Sequence, residues 1–511
     1  MRITNSIITS NTKANINLNK VNEDKLNTMV ASGQKITRPS DDPVIAIRAL
    51  RLNSTRETLN QYYEKNIPDA SAWFKATETA LTQTDTVMTS IRSLLTQGAS
   101  DDNTAEDRTN ILSQLTKLRD QIYAAGNAEY ADRTVFTGYR TGEMLTFLED
   151  KTEYKYSITE PLTQDDVESI SYISGIQDVN KNSLDPYAEE DITSNEIYRM
   201  RLVYENLDLT EGSTVTMNYI PDGGKDPGDI TAITLKIASI SEKTQEEKDK
   251  IYLGEDPGYP CIIKETGEVL FDKSTFETLS KAESIEITYE KSEWKKNDLR
   301  PEHYFKCSGP SPVPDEHEAI VDFNQDLKRG ETAHQKIEYE IAFNQHIQIN
   351  TNAADVYKHD IGRDIDELLV ATRAVVEADD KISKAKATMN KYEEGTDDYN
   401  KAQLIVAAAT KERDLLKDKM QKMFSASIGT FSGYQETLND EIARVGSMRE
   451  RLKLTENRVS EQRQNFKELS DQNINIDLTE AAIDLTSAET ALQAAQLAAS
   501  KISQQSLLNY L

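Results

Sequence analysis

Histidine and cysteine side chains are the residue types in this sequence that could bind a metal ion. Cys261 and Cys307 are its two cysteines, and His303 and His317 flank Cys307 along the chain. A structural zinc site usually draws on closely spaced ligand pairs, which this set lacks, and two cysteines do not make a disulfide framework. We therefore expect unpaired polar residues of a β-rich region here and predict no metal site.

An acidic string offers a second possible metal site. Asp322, Asn324 and Asp326 alternate like the first ligands of a calcium-binding loop. Leu327 stands where such a loop requires glycine, and no glutamate closes the loop, so we reject this site. The sequence also has no glycine-rich phosphate loop, zinc-protease motif or nucleophile elbow. It therefore predicts a protein that is not an enzyme, with no catalytic residues, no cofactor and no metal.

The composition narrows the function further. The chain has 511 residues, a formal net charge of −28 and 37% hydrophobic residues. Binding to nucleic acid or to an anionic membrane requires excess positive charge, so we expect neither partner. No apolar run is long enough to cross a bilayer, and residues 1–10 lack the apolar core of a cleavable secretory signal. The low apolar content indicates elongated helices or exposed assembly surfaces.

The two ends of the chain are the elements that could carry such surfaces. The stretch 478–511 contains neither proline nor glycine. Its apolar residues recur every three or four positions, a heptad seam typical of a helix that packs along another helix. The seam residues are Leu478, Ala481, Leu485, Ala488, Leu492, Ala495, Ala499 and Ile502. Because helices gain most of their stability from packing, this one must dock on the other chain end, on other copies or on a partner protein.

Residues 1–32 should form the matching N-terminal helix, which Gly33 should end. Because both ends of the chain carry a lone seam, we predict that they pair as a coiled coil. Packing within the chain and docking on another molecule both remain open for the terminal seam. The apolar seam of the N-terminal helix consists of Ile3, Ile7, Ala14, Leu18 and Val21, and Leu26 and Met29 continue it with a one-residue drift.

Capping signals place the next helices. Asp42 is positioned as an N-cap with a proline after it, and Pro68 should open a third helix. Thr104 and Asp107 resemble a capping box before a fourth helix. These helices carry heptad-type seams, which predicts a bundle over 43–140.

The character of the sequence changes after residue 140. Ten of the thirteen prolines lie between Pro161 and Pro314, and 141–340 carries 44 acidic and 21 basic residues. Apolar and polar residues alternate, as they do in strands, over four stretches: 215–220, 233–237, 285–289 and 337–343. We therefore predict a β-rich insert with an acidic, solvated surface.

Helical sequence returns after Ala353, and no proline follows. Two long charged helices over 355–391 and 398–422 should form a hairpin turned at Gly395. Residues 473–477 should be a hinge before the terminal helix.

The sequence thus predicts a mainly α fold with a β-rich insert, in which the N- and C-terminal helices pair as a coiled coil, followed by a helical bundle and then an inserted β domain. The predicted segments are the N-terminal coiled-coil helix 1–42, the helical bundle 43–140 with its second half 353–473, the β-rich acidic insert 141–352 and the C-terminal coiled-coil helix 474–511.

Several strings resemble the flagellin superfamily. They are Ser32 to Pro43, which contains Arg-Pro-Ser-Asp-Asp-Pro, Ala125 to Gly138, Thr455 to Arg458, and the ending from Lys501 to Leu511. The resemblance covers roughly 1–140 and 430–511. Within the superfamily, the sequence is most similar to the proteins of the flagellar hook–filament junction.

The resemblance implies a secreted structural adaptor of the bacterial flagellum, which joins the hook-associated ring to the flagellin filament and serves motility. The implied partners are hook-associated protein 1, flagellin, a flagellar export chaperone and further copies of the chain in a ring. Export would use the flagellar type III apparatus.

Two alternatives stand beside this interpretation. The first is a filament flagellin subunit, although flagellins tend to have a Pro-Gln step shortly before their last leucines, and none is present here. The second is an enzyme or glycan-binding module in the β insert, carried on a flagellar scaffold.

For the adaptor we expect an assembly interface on the paired chain ends. The residues that we expect to form it are Ile3, Ile7 and Leu18, with Leu485, Leu492, Ile502, Leu507 and Leu508 opposite them.

Overall fold

A computed structural model describes most of the chain. The described residues are 5–100, 102–177, 184, 188–225, 228–311 and 319–508, and at residues 5 and 502–508 only the backbone is described. The α-helices are α1 (Asn5–Ser32), α2 (Pro43–Gln61), α3 (Ile67–Gly98), α4 (Ala105–Gly126), α5 (Gln245–Tyr252), α6 (Lys273–Leu279), α7 (Ala353–Val356), α8 (His359–Met389), α9 (Asp397–Ile474) and α10 (Leu478–Leu508).

The strands lie mainly between α4 and α7. They are β1 (Glu129–Tyr130), β2 (Arg133–Thr134), β3 (Tyr156–Leu162), β4 (Val167–Ser174), β5 (Thr193–Arg201), β6 (Thr214–Ile220), β7 (Thr231–Ala238), β8 (Cys261–Ile263), β9 (Glu268–Phe271), β10 (Ser284–Lys291), β11 (Lys306–Pro310), β12 (Ile320–Phe323), β13 (Glu338–Ala342) and β14 (Gln345–Gln348). Among the described residues, no helix combines the length and the apolar composition that a membrane crossing requires.

The chain divides into two compact units. The terminal unit consists of Met1–Ala70, Tyr339–Ile347 and Glu450–Leu511. The central unit consists of Ser71–Glu338 and Gln348–Arg449. The two ends of the chain therefore belong to one unit, together with a short internal segment.

Local signals set the helix boundaries near the N-terminus. Gly33 follows α1 with φ of +70°, a conformation that glycine adopts without steric cost. The Asp42 carboxylate accepts hydrogen bonds from the N–H groups of Val44 and Ile45 at 2.9 and 3.1 Å, so it caps α2 as predicted. Thr104 and Asp107 form the predicted capping box at α4.

Pro68 does not open a separate helix, contrary to the prediction. α2 continues through a π-helical turn, Tyr62–Asn66, directly into α3. Pro68 is tolerated in the first turn of α3 because the preceding turn is wider than an α turn. At the predicted helix boundary, the helix therefore continues and only its pitch changes.

The β-rich insert forms a ten-stranded sheet in the order β12-β11-β3-β10-β6-β7-β8-β9-β5-β4. The pairing is antiparallel throughout except for the parallel pair β7–β8. Three of the predicted strands lie in β6, β7 and β10. The fourth, 337–343, overlaps β13, which pairs with β14 in a separate two-stranded hairpin.

The residues first considered as metal ligands are dispersed within this region. Cys261 in β8 and Cys307 in β11 are buried free thiols in strands that are not neighbours. A nitrogen of buried His303 lies 3.0 Å from the carbonyl oxygen of Met144. His317 lies outside the described residues.

The helices of the central unit pack around long α9. Gly395, with φ of +88°, turns the hairpin between α8 and α9 as predicted. The helix predicted over 398–422 is the first part of a longer one, the 78-residue α9. Arg92 in α3 donates to the side chain of Gln435 in α9 at 2.7 Å, and Arg108 in α4 pairs with Asp379 in α8 at 3.1 Å. The predicted fold class, mainly α with paired terminal helices, a helical bundle and a β-rich insert, is confirmed.

Candidate assembly interface

The terminal unit holds the end of α1 against the start of α10. Gln34 and Asn475 form an isolated antiparallel bridge. The Lys35 N–H donates to the Ile474 carbonyl at 2.7 Å, and the Ile476 N–H donates to the Gly33 carbonyl at 3.1 Å. α1 therefore ends, and α10 begins, at one joint, and α10 runs back along α1, against which it packs.

The predicted seam of α10 is the side that the chain itself covers. Ala481 and Leu492 are 6% and 8% exposed. Leu485 is half-buried, as are Ala488, Ala495 and Ala499, whereas Leu478 at the start of α10 is 59% exposed. These small and branched side chains recur at heptad spacing, so α10 meets α1 as helices do in a coiled coil. Leu485 and Leu492, predicted as assembly residues, are thus covered within the chain.

Up to Val21, the covered side of α1 is not the predicted one. Ile7, Leu18 and Val21 are 50%, 64% and 65% exposed, so Ile7 and Leu18 do not lie opposite the seam of α10. The partly buried residues of α1 are Thr12, Ile16, Asn19, Glu23, Leu26, Met29 and Val30. The predicted continuation of the seam at Leu26 and Met29 is on this side, whereas three of the four covered positions before it are polar. The apolar pattern in the sequence therefore pointed to the opposite side of the helix.

Both terminal helices consequently carry a second, exposed apolar stripe. At about 100° per residue, each stripe lies roughly 150° or more around its helix from the covered side. We call these two rows the outer stripes. They are Ile7, Ala14, Leu18 and Val21 on α1, and Ile483, Thr490, Ala494 and Leu497 on α10. The helix pair is therefore apolar on its outside as well as between its helices.

Four of the predicted assembly residues cannot be placed by their side chains. Ile3 lies outside the described residues. Ile502, Leu507 and Leu508 belong to α10, but only their backbone is described.

The loop between α1 and α2 is built by its two aspartates. Asp41 accepts hydrogen bonds from the N–H groups of Arg38 and Thr37 at 2.8 and 3.1 Å. These backbone donors hold the pKa of the Asp41 carboxyl below its usual value. Asp42 then caps α2. The helix that follows exposes Val44, Ile47 and Leu50 by 60%, 52% and 68%, which adds apolar surface to the same unit.

A β-hairpin that the sequence analysis did not assign to this unit braces the π-helical turn. The Tyr62 hydroxyl donates to the Glu340 carboxylate at 2.8 Å, and the Asn66 amide donates to the Glu340 carbonyl at 2.7 Å. Burial and the contact with Glu340 raise the pKa of Tyr62 to about 12. Phe343, at the tip of the hairpin, is 80% exposed. In the sequence, the only signal that this hairpin is a surface feature is the aromatic residue Phe343 itself.

The last part of α9 contacts the same turn. Arg463 forms an ion pair with Glu64 at 2.8 Å and lies 4.5 Å from the centre of the Tyr63 ring. The Asn473 amide donates to the Ile45 carbonyl at 3.2 Å. The terminal unit thus holds α2 in place by contacts along the end of α9.

Comparison with protein families finds matches at the two ends of the chain. Residues 3–141 match the bacterial flagellin N-terminal helical region, and residues 433–511 match the bacterial flagellin C-terminal helical region. Both matches include the elements of the terminal unit described above, apart from the β-hairpin.

Individual relatives agree with these matches. A flagellin from Clostridium tyrobutyricum is 27% identical over 143 residues, which is 28% of this chain and 38% of the relative. The flagellar hook-associated protein 3 of Salmonella typhimurium is 25% identical over 142 residues, 28% of this chain and 44% of the relative. The protein of the same name from Escherichia coli is 27% identical over 131 residues, 25% of this chain and 41% of the relative. The chain thus spans less than half the length of these curated relatives.

Solved structures of flagellar proteins are also similar to this chain. A flagellar hook-associated protein from Vibrio parahaemolyticus has a TM-score of 0.37 at 12% identity, over 85% of this chain and 100% of that one. The flagellar junction protein FlgL from Legionella pneumophila has a TM-score of 0.25 at 10% identity, over 78% of this chain and 99% of that one. TM-scores this low do not establish a common fold. The two family matches, at residues 3–141 and 433–511, make the two ends of this chain similar to the N- and C-terminal helical regions of bacterial flagellin.

Proposed function

We propose that this chain is a structural adaptor that joins the flagellar hook-associated ring to the flagellin filament. The flagellin-type regions at both ends support a subunit that assembles through its terminal helices. The similarity over 142 and 131 residues to two proteins named flagellar hook-associated protein 3 supports a position at the hook–filament junction.

The observation that carries this proposal is the pair of outer stripes. α1 and α10 already cover one side of each other, yet Leu18 and Leu497 remain 64% and 65% exposed on the outside. Exposed apolar side chains that recur along one side of a helix are typical of a surface that packs against another molecule. Helices that are apolar on more than one side are suited to burial among several neighbours. The outer stripes are therefore the surfaces on which neighbouring subunits would pack.

The finer assignments belong to the same proposal. The partners would be hook-associated protein 1 on one side and flagellin on the other, with further copies of the chain in a ring. An export chaperone would cover the C-terminal helix before export by the flagellar type III apparatus, and the mature protein would reside in the bacterial flagellum. Segments 1–42 and 474–511 would act as the inner domain, 43–140 and 353–473 as the bundle, and 141–352 as the outward β-rich insert.

Deletion of residues 478–511 tests the adaptor role. The shortened protein should stay soluble and keep the folded central unit, but it should not support filament growth in a strain that lacks the full-length chain. Circular dichroism and electron microscopy of the cells would report the two outcomes. Normal motility of the deletion strain would refute the proposal.

A filament flagellin is the second candidate, because the flagellin from Clostridium tyrobutyricum matches the chain as well as the hook-associated proteins do. Abundance separates the two functions. In sheared flagella, a filament subunit would be the dominant protein, whereas a junction protein would be a trace component. Gold labelling of the chain would mark the whole filament in the first case and a single point next to the hook in the second.

A further inference from the structure

The central unit contains a cleft that the assembly role does not use. It has a volume of about 400 Å³ and lies among α4, α8, the segment after β5 and the loop after β10. This volume is in the range of small-molecule sites. Its lining includes Leu202, Val203, Leu299 and Leu369 as apolar residues. The cleft is therefore a concave and partly apolar site.

Positive charge dominates the lining. Six cationic side chains face the cleft, against three carboxylates. The cationic residues are Arg119, Arg363 and Arg373 from the helices and Arg201, Lys295 and Lys296 from the sheet side. The acidic residues are Glu205, Asp298 and Asp366. The lining is therefore positively charged, whereas the chain as a whole has a net charge of −28.

Most of these cations are already engaged in fixing the walls. Arg119 pairs with Asp366, and Lys295 pairs with Glu205. Arg201 pairs with Glu367, behind the lining, at 3.0 Å. These pairs neutralise two of the three carboxylates that line the cleft. Burial raises the pKa of the remaining one, Asp298, whose carboxylate accepts a hydrogen bond from the Lys295 N–H at 2.9 Å.

Other contacts hold the two walls together. Arg363 donates to the Arg201 carbonyl at 2.9 Å, which joins α8 to the segment after β5. The Tyr204 hydroxyl donates to the Leu299 carbonyl at 2.9 Å. The cleft is therefore formed by the protein itself, and a ligand would not have to order its walls.

Two cations differ from the others. The side chains of Lys296 and Arg373 are exposed and have no ion-pair or hydrogen-bond partner among the described residues. They come from opposite walls, Lys296 from the loop after β10 and Arg373 from α8. The cleft thus offers an ammonium and a guanidinium group that can both pair with anions.

We propose that this cleft binds a small organic or inorganic anion with two or more carboxylate or phosphate groups, held by Lys296 and Arg373. The cleft volume of about 400 Å³ suits a small molecule, and the two unpaired cations favour a ligand with more than one anionic group. This function is independent of subunit assembly, because every lining residue belongs to the central unit.

Isothermal titration of the full chain with citrate and with pyrophosphate tests the proposal at low ionic strength. Both probes carry several anionic groups. A comparison of their affinities shows whether the cleft prefers carboxylate or phosphate. Saturable binding at one site per chain is expected for at least one of them. The double variant K296Q/R373Q should bind about tenfold or more weakly, because it loses two charge-assisted contacts.

The matched control is the double variant K386Q/K401Q, which removes the same charge from exposed positions of α8 and α9 outside the cleft. It should bind like the unchanged protein, and circular dichroism should show that both variants are folded. Absence of saturable binding for both probes would overturn the proposal. Equal affinities in K296Q/R373Q and in the control would also overturn it. The heat of titration would then come from a general ionic effect on the charged chain and not from binding to Lys296 and Arg373.

Discussion

Gln34 and Asn475 are joined by an isolated antiparallel bridge, although they are separated by almost the whole length of the chain. This bridge fixes the point from which α1 and α10 run side by side. From that joint α10 returns along α1, and each helix covers one side of the other while its outer stripe stays exposed. The first two predictions concern this arrangement.

Leu492 and Leu497 in α10 should respond differently to the same substitution. Leu492 is 8% exposed and Leu497 is 65% exposed. Leu492→Ala removes a side chain packed between α1 and α10 and should destabilise the helix pair by about 2 kcal/mol. Leu497→Ala should change the stability of the isolated chain by less than about 0.5 kcal/mol. Hydrogen exchange of α1 measures the difference, and equal effects of both substitutions would contradict the assigned covered face.

The same pair of variants separates folding from assembly. Leu497→Ala should weaken incorporation into flagella even though the isolated protein is as stable as the original, because it removes part of an outer stripe. The measurement is the fraction of cells with filaments. Unimpaired filament growth in a variant that also carries Leu18→Ala would remove the outer stripes from the proposed interface.

Gly33→Ala tests the joint itself. Gly33 has φ of +70°, and a Cβ atom at this position would meet no atom within 4 Å. The cost is therefore conformational rather than steric and should be about 1 kcal/mol. Gly142→Ala is the matched control, since that glycine also has open space around it but no positive φ. Thermal unfolding should show a lower midpoint for Gly33→Ala only.

The sequence was informative where the signals are local. The aspartate–proline step at Asp42, the capping box at Thr104 and the turn at Gly395 each depend on a few adjacent residues, and all three are present as predicted. The seam of α10 agrees with the covered side from Ala481 to Ala499, which is made of leucine and alanine, whereas Leu478 is exposed. Residues within one or two helical turns of each other determine these features.

The missed features depend on partners far away in the chain. The covered side of α1 contains Asn19 and Glu23, so the outer stripe looked like the better seam. The π-helical turn before Pro68 and the pairing of Glu340 with Tyr62 require a hairpin almost 280 residues further along the chain. The anion cleft combines residues from α4, α8 and two loops, and none of its spacings forms a motif. Such arrangements arise only when the chain has folded.

Glu160 should make the stability of the central unit depend on pH. Its carboxylate is fully buried in β3 and accepts hydrogen bonds from the Tyr289 hydroxyl at 2.5 Å and the Val203 N–H at 3.1 Å. Burial raises the pKa of Glu160 to about 7, although His359 and Arg363 oppose the shift. Glu160 therefore binds its proton more tightly in the folded protein than in the unfolded chain. Its contribution to the free energy of unfolding is fully present below about pH 4.5, the usual pKa of the group, and is lost as the pH rises through 7.

Glu160→Gln should remove this dependence, because glutamine carries no titrating charge, and its single amide oxygen, in the place of Oε2, can accept from both the Tyr289 hydroxyl and the Val203 N–H. The variant should gain stability relative to the original protein between about pH 4.5 and 7, by an amount on the order of 3 kcal/mol at higher pH. Chemical unfolding at a series of pH values measures the difference. A difference between the two proteins that does not change over this range would show that Glu160 does not titrate as stated.

Tyr62→Phe tests whether the β-hairpin braces the π-helical turn. The hydroxyl of Tyr62 is buried and donates to Glu340 at 2.8 Å, so its removal leaves a carboxylate oxygen with one partner fewer. The expected loss of stability is about 1 to 2 kcal/mol. Tyr63→Phe is the matched control, because the adjacent hydroxyl has no hydrogen-bond partner among the described residues and its ring would still contact Arg463 at 4.5 Å. Hydrogen exchange across 60–70 should increase in Tyr62→Phe alone, and equal exchange in both variants would mean that the hairpin does not hold the turn.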